Sequence, residues 1–357
     1  MKSKSNEFGH FHHPTYSPNG MRMLALGSHF GSGRTLDLWN AQSGMKELEL
    51  EFEGDRRSLE LATARFGADG KEVIVLADEG WNYEDGIRVL NAVTGEQLFH
   101  LGQGQGYFDF DVSSAGSTLI ALGSDSSSLQ VWNYKTGSSV LCREFEKAGE
   151  PAAKISSDGL TLLLANEDRR PVEFIDTRTG SEIARTREGF WDGAFSPDTK
   201  RVVLWSDQIE MWDIASGNRL LEFGEGNLAG FSPDGRYIFT ASYQDTWLKI
   251  WDGASGEQLH VFDKFRSGQW YGDWEHGTPG FSLDGRHVVT CEGQFAKVRS
   301  IETGDALHAF DCPNGTITSA AFRPDGKQLL VTSRQSVRTP TFSGIAPTMF
   351  TWNLPCA

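Results

Sequence analysis

Phe231-Ser232-Pro233-Asp234-Gly235, the apolar run 237–241, Ile250-Trp251-Asp252 and the turn Ser255-Gly256 make up the best copy of a unit written eight times in this 357-residue chain. The other pentamers fall at 16–20, 66–70, 112–116, 155–159, 195–199, 281–285 and 322–326. Their partner pairs are Trp39-Asn40, Leu90-Asn91, Trp132-Asn133, Ile175-Asp176, Trp212-Asp213, Arg299-Ser300 and Trp352-Asn353. Every pair except the last is followed by a turn glycine: Gly44, Gly95, Gly137, Gly180, Gly217, Gly256 or Gly304. A unit of roughly 40–50 residues with this punctuation has the period of a propeller blade.

The local chemistry predicts four short strands per unit. Asp-Gly or Asn-Gly between apolar runs supplies the positive φ that a tight turn needs, placing a turn between a first and a second strand. Runs at 71–77, 160–165, 201–205 and 328–332 are short, aliphatic and bounded by turn residues, as strands buried on both faces should be. The Trp-Asp pair closes the third strand, and Thr-Gly or Ser-Gly leads into an outer fourth strand such as 218–223. No segment carries a sustained helical stripe.

With these residues in place, the chain resembles the WD-repeat β-propeller family over nearly all its length. The resemblance implies an all-β, closed β-propeller of eight blades with four antiparallel strands each, forming a single domain over 1–357. Seven blades with one decayed copy is the alternative. The sequence departs from the family pattern in lacking the Gly-His dipeptide that opens a repeat, and in replacing Trp-Asp by Arg299-Ser300 in blade 7. The last unit stops soon after Trp352-Asn353, whereas Glu7-Phe8-Gly9 copies the fourth-strand ending Glu222-Phe223-Gly224. The ring is therefore expected to close by pairing of the N-terminal strand, residues 5–9, with the strand at 349–352 of the C-terminal blade.

Composition excludes several functions. A net charge of −15 argues against tracking nucleic-acid phosphates, which takes a clustered basic face. Cys142, Cys291, Cys312 and Cys356 lack metal-ligand or disulfide-frame spacing. Residues 1–14 hold no apolar signal core, and no apolar run of about 18 residues exists to span a bilayer, so the expected setting is cytoplasmic and reducing. His10, His12 and His13 read as a polar strand entry, with no metal site and no cofactor expected. Carboxylates are scattered, GxSxG is absent, and Gly102-Gln103-Gly104-Gln105-Gly106 reads as a flexible connection, since no helix follows to hold a phosphate.

In a WD-repeat ring the loops from fourth to first strands and from second to third strands share one face, the top. An insertion of about 11 residues lies there between blades 6 and 7 and carries Trp270, Tyr271 and Trp274, residues that give large contact area at low entropic cost. Other top loops contribute Trp81, Tyr83, Arg169 and Arg170, and a long loop at 333–347 contributes Arg334 and Arg338. Phe108 and Trp191 are expected at the mouth of the channel. These aromatic residues and arginines are the candidate partner-binding set, as loops on a rigid scaffold commonly carry binding. The expected function is a non-catalytic scaffold for a protein or peptide, monomeric on its own, with the arginines meeting acidic groups. The alternative is a propeller enzyme, a quinone-cofactor dehydrogenase or a hydrolase, suggested by turns such as Asp176-Thr177-Arg178-Thr179-Gly180. The docking Trp that such quinoproteins place a few residues later is missing here. A sensor module whose effector is a separate chain is a third reading.

Overall fold

The computed structural model describes residues 9–29, 33–52, 63–76, 86–123, 127–145, 151–166, 168, 170–242, 246–263, 280–312, 315–339 and 342–354. Every regular element among them is a strand. The strands form eight antiparallel sheets, blades 1 to 8, over 9–52, 63–101, 107–144, 151–189, 192–225, 228–263, 280–311 and 315–353. Seven blades have four strands in sequence order, and blade 8 has three among the described residues. Eight blades thus hold and seven do not. Residues 5–8 of the expected closing strand lie outside the described residues. Gly9, assigned with them, instead begins the first strand of blade 1, Gly9–Tyr16, and pairs with His29.

The chain divides into two compact units. One comprises Phe52–Phe231, and the other Met1–Glu51 with Ser232–Ala357. Within the first, apolar clusters join neighbouring blades face to face: Ile74, Val89, Leu119 and Trp132 between blades 2 and 3, Ile120, Val131 and Leu162 between 3 and 4, and Phe174, Val202 and Trp212 between 4 and 5. Within the second, Val289, Val298, Leu329 and Trp352 join blades 7 and 8, and Met23, Trp39 and Leu330 join blades 1 and 8. Each second strand is therefore apolar on both sides. Glu72–Leu76, for example, is buried from Val73 onward, which explains its continuous aliphatic run.

The pentamer is a hydrogen-bonded turn built on its serine. Ser232 is fully buried; its hydroxyl donates to Asp234 Oδ1 at 2.6 Å and accepts the Tyr237 N–H at 3.0 Å. Ser196 and Ser282 repeat both bonds, to Asp198 and Arg201 and to Asp284 and His287. At the other turn, the Asp or Asn after Trp caps the chain reversal. Asp252 accepts the N–H groups of Ala254 and Ser255 at 3.0 and 2.8 Å, while Gly256 at φ 74° donates to the Asp252 carbonyl. Asn40, Asn91, Asn133 and Asp176 do the same. The side-chain oxygen of the Asp or Asn in these pairs is thus occupied by backbone donors.

Two departures from the family pattern have local explanations. Trp251 Nε1 donates to the buried Thr240 Oγ1 at 2.9 Å, so the indole keeps a polar partner without the Gly-His dipeptide. In blade 7, Arg299 takes the Trp position: its Nε donates to Thr290 Oγ1 at 3.4 Å, its Nη2 to Glu292 at 2.8 Å, and its guanidinium lies 4.7 Å from the Phe262 ring. A planar cation able to stack and to donate in a fork fills the indole's place.

One expectation needs correction. The segment 333–347 is largely strand: Gln328–Thr339 pairs with Phe342–Asn353 through twelve residue pairs, from Gln328↔Asn353 to Thr339↔Phe342. Serine, proline and arginine made it read as a loop, but an antiparallel partner satisfies the backbone whatever the side chains are.

Candidate protein-interaction surface

Of the candidate residues, Trp81, Tyr83, Arg169, Trp270, Tyr271 and Trp274 lie outside the described residues. Arg334 and Arg338 are placed on a strand, in register with Pro347 and Ser343. Phe108, Arg170 and Trp191 are described fully. Phe108 sits in the first strand of blade 3, Tyr107–Val112, where Tyr107 and Phe110 are buried and the register with the second strand shifts at Phe108, between Gly123↔Tyr107 and Leu122↔Asp109. Tyr107 packs edge-on against Trp132 at 5.6 Å, while Phe108 is left 42 % exposed. Trp191 is half-buried, its N–H donates to the Trp205 carbonyl at 2.9 Å, and its neighbour Phe190 packs edge-on against Trp212. Arg170 is exposed, with its N–H on Asn166 Oδ1 at 3.2 Å. Phe108 and Trp191 precede or open first strands, and Arg170 follows a second strand, so antiparallel order puts all three at the same end of their blades. The stretch 102–106, read as a flexible connection, is a hydrogen-bonded turn in which the Gln105 N–H donates to Gly102 O at 3.0 Å and the Gly86 N–H to Gln105 O at 3.2 Å.

The sequence reading missed a row of charges on the first strands. Arg65 of blade 2 lies 3.9 Å from Asp111 of blade 3, and Lys154 of blade 4 lies 3.9 Å from Asp192 of blade 5. Asp111 Oδ2 also accepts the Ile155 N–H at 3.0 Å. Pairs this solvated contribute about 0–1 kcal/mol, so they set the polarity of the surface more than they hold it together. The available signal was that Arg65, Asp111 and Lys154 each stand immediately before a pentamer.

The electrostatics at the opposite end hold one irregular site. Blade 2 has Gly67 where six of the other seven pentamers have serine, and a Cβ there would stand 2.9 Å from Glu72 Oε2. Glu72 takes over the missing hydroxyl's role, bonding to Asp69 and accepting its own N–H. Asp69 also binds Lys135 Nζ at 2.9 Å, with Lys71 Nζ at 3.6 Å. A carboxyl can donate to a carboxylate only when protonated. Burial, then the adjoining Asp69 charge, accordingly push the Glu72 pKa up, while the Lys135 ammonium holds Asp69 down. A raised carboxyl pKa contributes stability below the unfolded value that is lost as pH rises through the folded value. Glu72→Gln, which keeps a donor and an acceptor but no charge, will leave stability unchanged near pH 4. At pH 8 it will raise stability by about 1 kcal/mol, a size kept small by solvent screening of the part-exposed pair. Paired urea titrations at the two pH values check this, and an equal effect at both would exclude it.

The chemistry available elsewhere is that of turns and packing. Asp176 is lowered to about 2, chiefly by the Arg178 guanidinium, and Asp252 is lowered by the N–H and hydroxyl of Ser255. Neither carboxylate can take up a proton near neutral pH. Among the described residues no group of three His, Cys, Asp or Glu side chains could hold a metal ion, and no helix is long and apolar enough to cross a membrane.

Comparison with known proteins agrees with this architecture. The family model for the WD domain, G-beta repeat, matches residues 227–252, the copy with the most complete pentamer and Trp-Asp pair. Eukaryotic translation initiation factor 3 subunit I of Emericella nidulans is 26 % identical over 295 residues, covering 81 % of this chain and 75 % of that protein. Its counterpart from Coccidioides immitis is 25 % identical over 280 residues, covering 76 % and 71 %. Among solved structures, the C-terminal WD40 domain of Sif2 superposes with a TM-score of 0.69 at 13 % identity over 98 % of this chain and 97 % of that one. The computationally designed Ika8 protein gives 0.68 at 17 % identity over 99 % and 98 %. The structural likenesses establish the fold.

Proposed function

We propose that this chain, a WD-repeat β-propeller, is a non-catalytic scaffold that binds a protein partner through the blade ends bearing Phe108, Arg170 and Trp191. The single observation behind this reading is Phe108, a large aromatic 42 % exposed in a strand whose neighbouring Tyr107 and Phe110 are buried. An exposed aromatic on a rigid strand is a suitable anchor, because little entropy is lost when a partner covers it. The reading also assigns partner contacts to Trp81, Tyr83, Arg169, Trp270, Tyr271 and Trp274, and to Arg334 and Arg338. The arginines among these residues favour acidic groups on the partner.

The reading takes residues 1–357 as one domain, monomeric on its own, acting in the cytoplasm without nucleic acid or membrane. The two relatives are by name subunits, so a place in a multi-subunit assembly is the natural extension to this chain. Phe108→Ala/Arg170→Ala and Trp270→Ala/Trp274→Ala should each lower retention of a specific partner about tenfold or more, the size of a lost interface anchor. The measurement is affinity capture from native lysate beside wild type, with melting curves matched. Capture that ignores both variants would move the binding surface elsewhere.

A further inference from the structure

The eight repeats serve as controls for one another, and blade 1 departs from most of the others at one position and from all those with the same turn at a second. The residue after the pentamer is Lys or Arg in five of the other seven blades, as at Lys71, but is Met21 here. The residue after the turn glycine is polar in all six other blades with that turn, as at Glu96, but is Met45 here. These methionines are 66 % and 63 % exposed, whereas Met23, two residues from the first, is buried.

The two lie on either side of one turn. Ala41 N–H donates to the Met21 carbonyl at 2.9 Å, and the adjacent Asn40 N–H donates to the Met45 carbonyl at 2.8 Å. A Cβ built on Gly44, beside Met45, would find no atom within 4 Å, so the space over the turn is open. Two flexible, polarisable thioethers, both exposed beside this turn, offer an adaptable apolar contact surface.

The surroundings select what would cover it. From Met45 the chain enters the outer strand Lys46–Phe52, which carries exposed Glu47 and Glu49. Arg22 pairs with Glu47 at 2.8 Å, and Lys46 pairs with Asp37 at 2.9 Å and Glu49 at 2.5 Å. Arg323, whose Nε donates to the Gly20 carbonyl at 3.0 Å, and Asp325, 3.5 Å from it, adjoin them; four acids against three bases leave this corner at −1, on a chain whose net charge is −15. An incoming segment that is itself acidic would be repelled, and a basic one attracted.

We infer that the Met21–Met45 corner of blade 1 is a docking site for a protein segment with an aliphatic or aromatic anchor flanked by Lys or Arg. It rests on the scaffold reading but uses none of the residues assigned there, so the two can fail separately.

The test labels the methionine methyl groups with 13C and titrates the full chain with two synthetic 14-residue peptides, one of Leu and Lys and its twin of Leu and Glu. With the Lys peptide, the Met21 and Met45 methyl signals shift and saturate while buried Met23 and Met211 stay in place. The Glu twin leaves all of them unmoved. Met21→Lys/Met45→Glu gives blade 1 the residues of blade 2 at unchanged net charge, and it will weaken the Lys peptide at least tenfold without altering the melting temperature. Unmoved Met21 and Met45 signals, an equal response to the Glu twin, or undiminished affinity in the double variant would each overturn the site, the last by reducing it to bulk charge attraction.

Discussion

Tyr134→Ala will destabilise the protein by about 3–5 kcal/mol, the cost of emptying a large buried aromatic site. Tyr134 is fully buried among Ile74, Leu76, Ile87 and Val89 of blade 2 and Leu119 and Trp132 of blade 3. Its hydroxyl accepts the Ala68 N–H at 2.9 Å and donates to the Gly116 carbonyl at 3.2 Å, tying the pentamers of two blades through one atom. Tyr134→Phe keeps the packing and removes only that atom, so it should cost about 1–3 kcal/mol for backbone groups left without a partner. Urea denaturation of the two variants separates packing from hydrogen bonding. Equal losses would mean that the hydroxyl, and not the ring, couples the blades, whereas no loss in Tyr134→Phe would mean the reverse.

Ser232→Ala should cost about 1–3 kcal/mol, because its hydroxyl answers two groups at once, the Asp234 carboxylate and the Tyr237 N–H. Ser282→Ala should cost a similar amount in blade 7, where Asp284 and His287 are the partners. The double variant should not be additive. Arg236, which follows the first pentamer, donates to the Asp284 carbonyl of the second at 3.3 Å, so loosening one turn shifts the partner of the other. Additive losses in thermal denaturation would show that the pentamers act independently.

Legibility in this chain follows sequence distance. The Ser232–Asp234 and Asp252–Ser255 bonds span two and three residues, so each turn could be read from its own residues. Third strands close where Trp-Asp and its variants said they would, from Asn40 in blade 1 to Asn353 in blade 8. Phe108, expected at the mouth of the channel, is 42 % exposed. The row Arg65, Asp111, Lys154 and Asp192 was overlooked because a charge just before a pentamer does not reveal its partner until adjacent blades bring the two within 4 Å.

The sequence by itself determined an all-β chain of eight repeated blades, because turn chemistry and strand periodicity are properties of neighbouring residues. Tertiary structure decided the rest. It made a strand of 333–339, where polar composition had spoken for a loop, because a paired backbone needs no help from side-chain propensity. It set the Glu72 proton through Asp69, with Lys135, 66 residues from Asp69, holding that carboxylate charged. It left Met21 and Met45 exposed while Met23 went into the core. Burial and proton affinity depend on which other repeats come near, and that proximity exists only once the blades have packed.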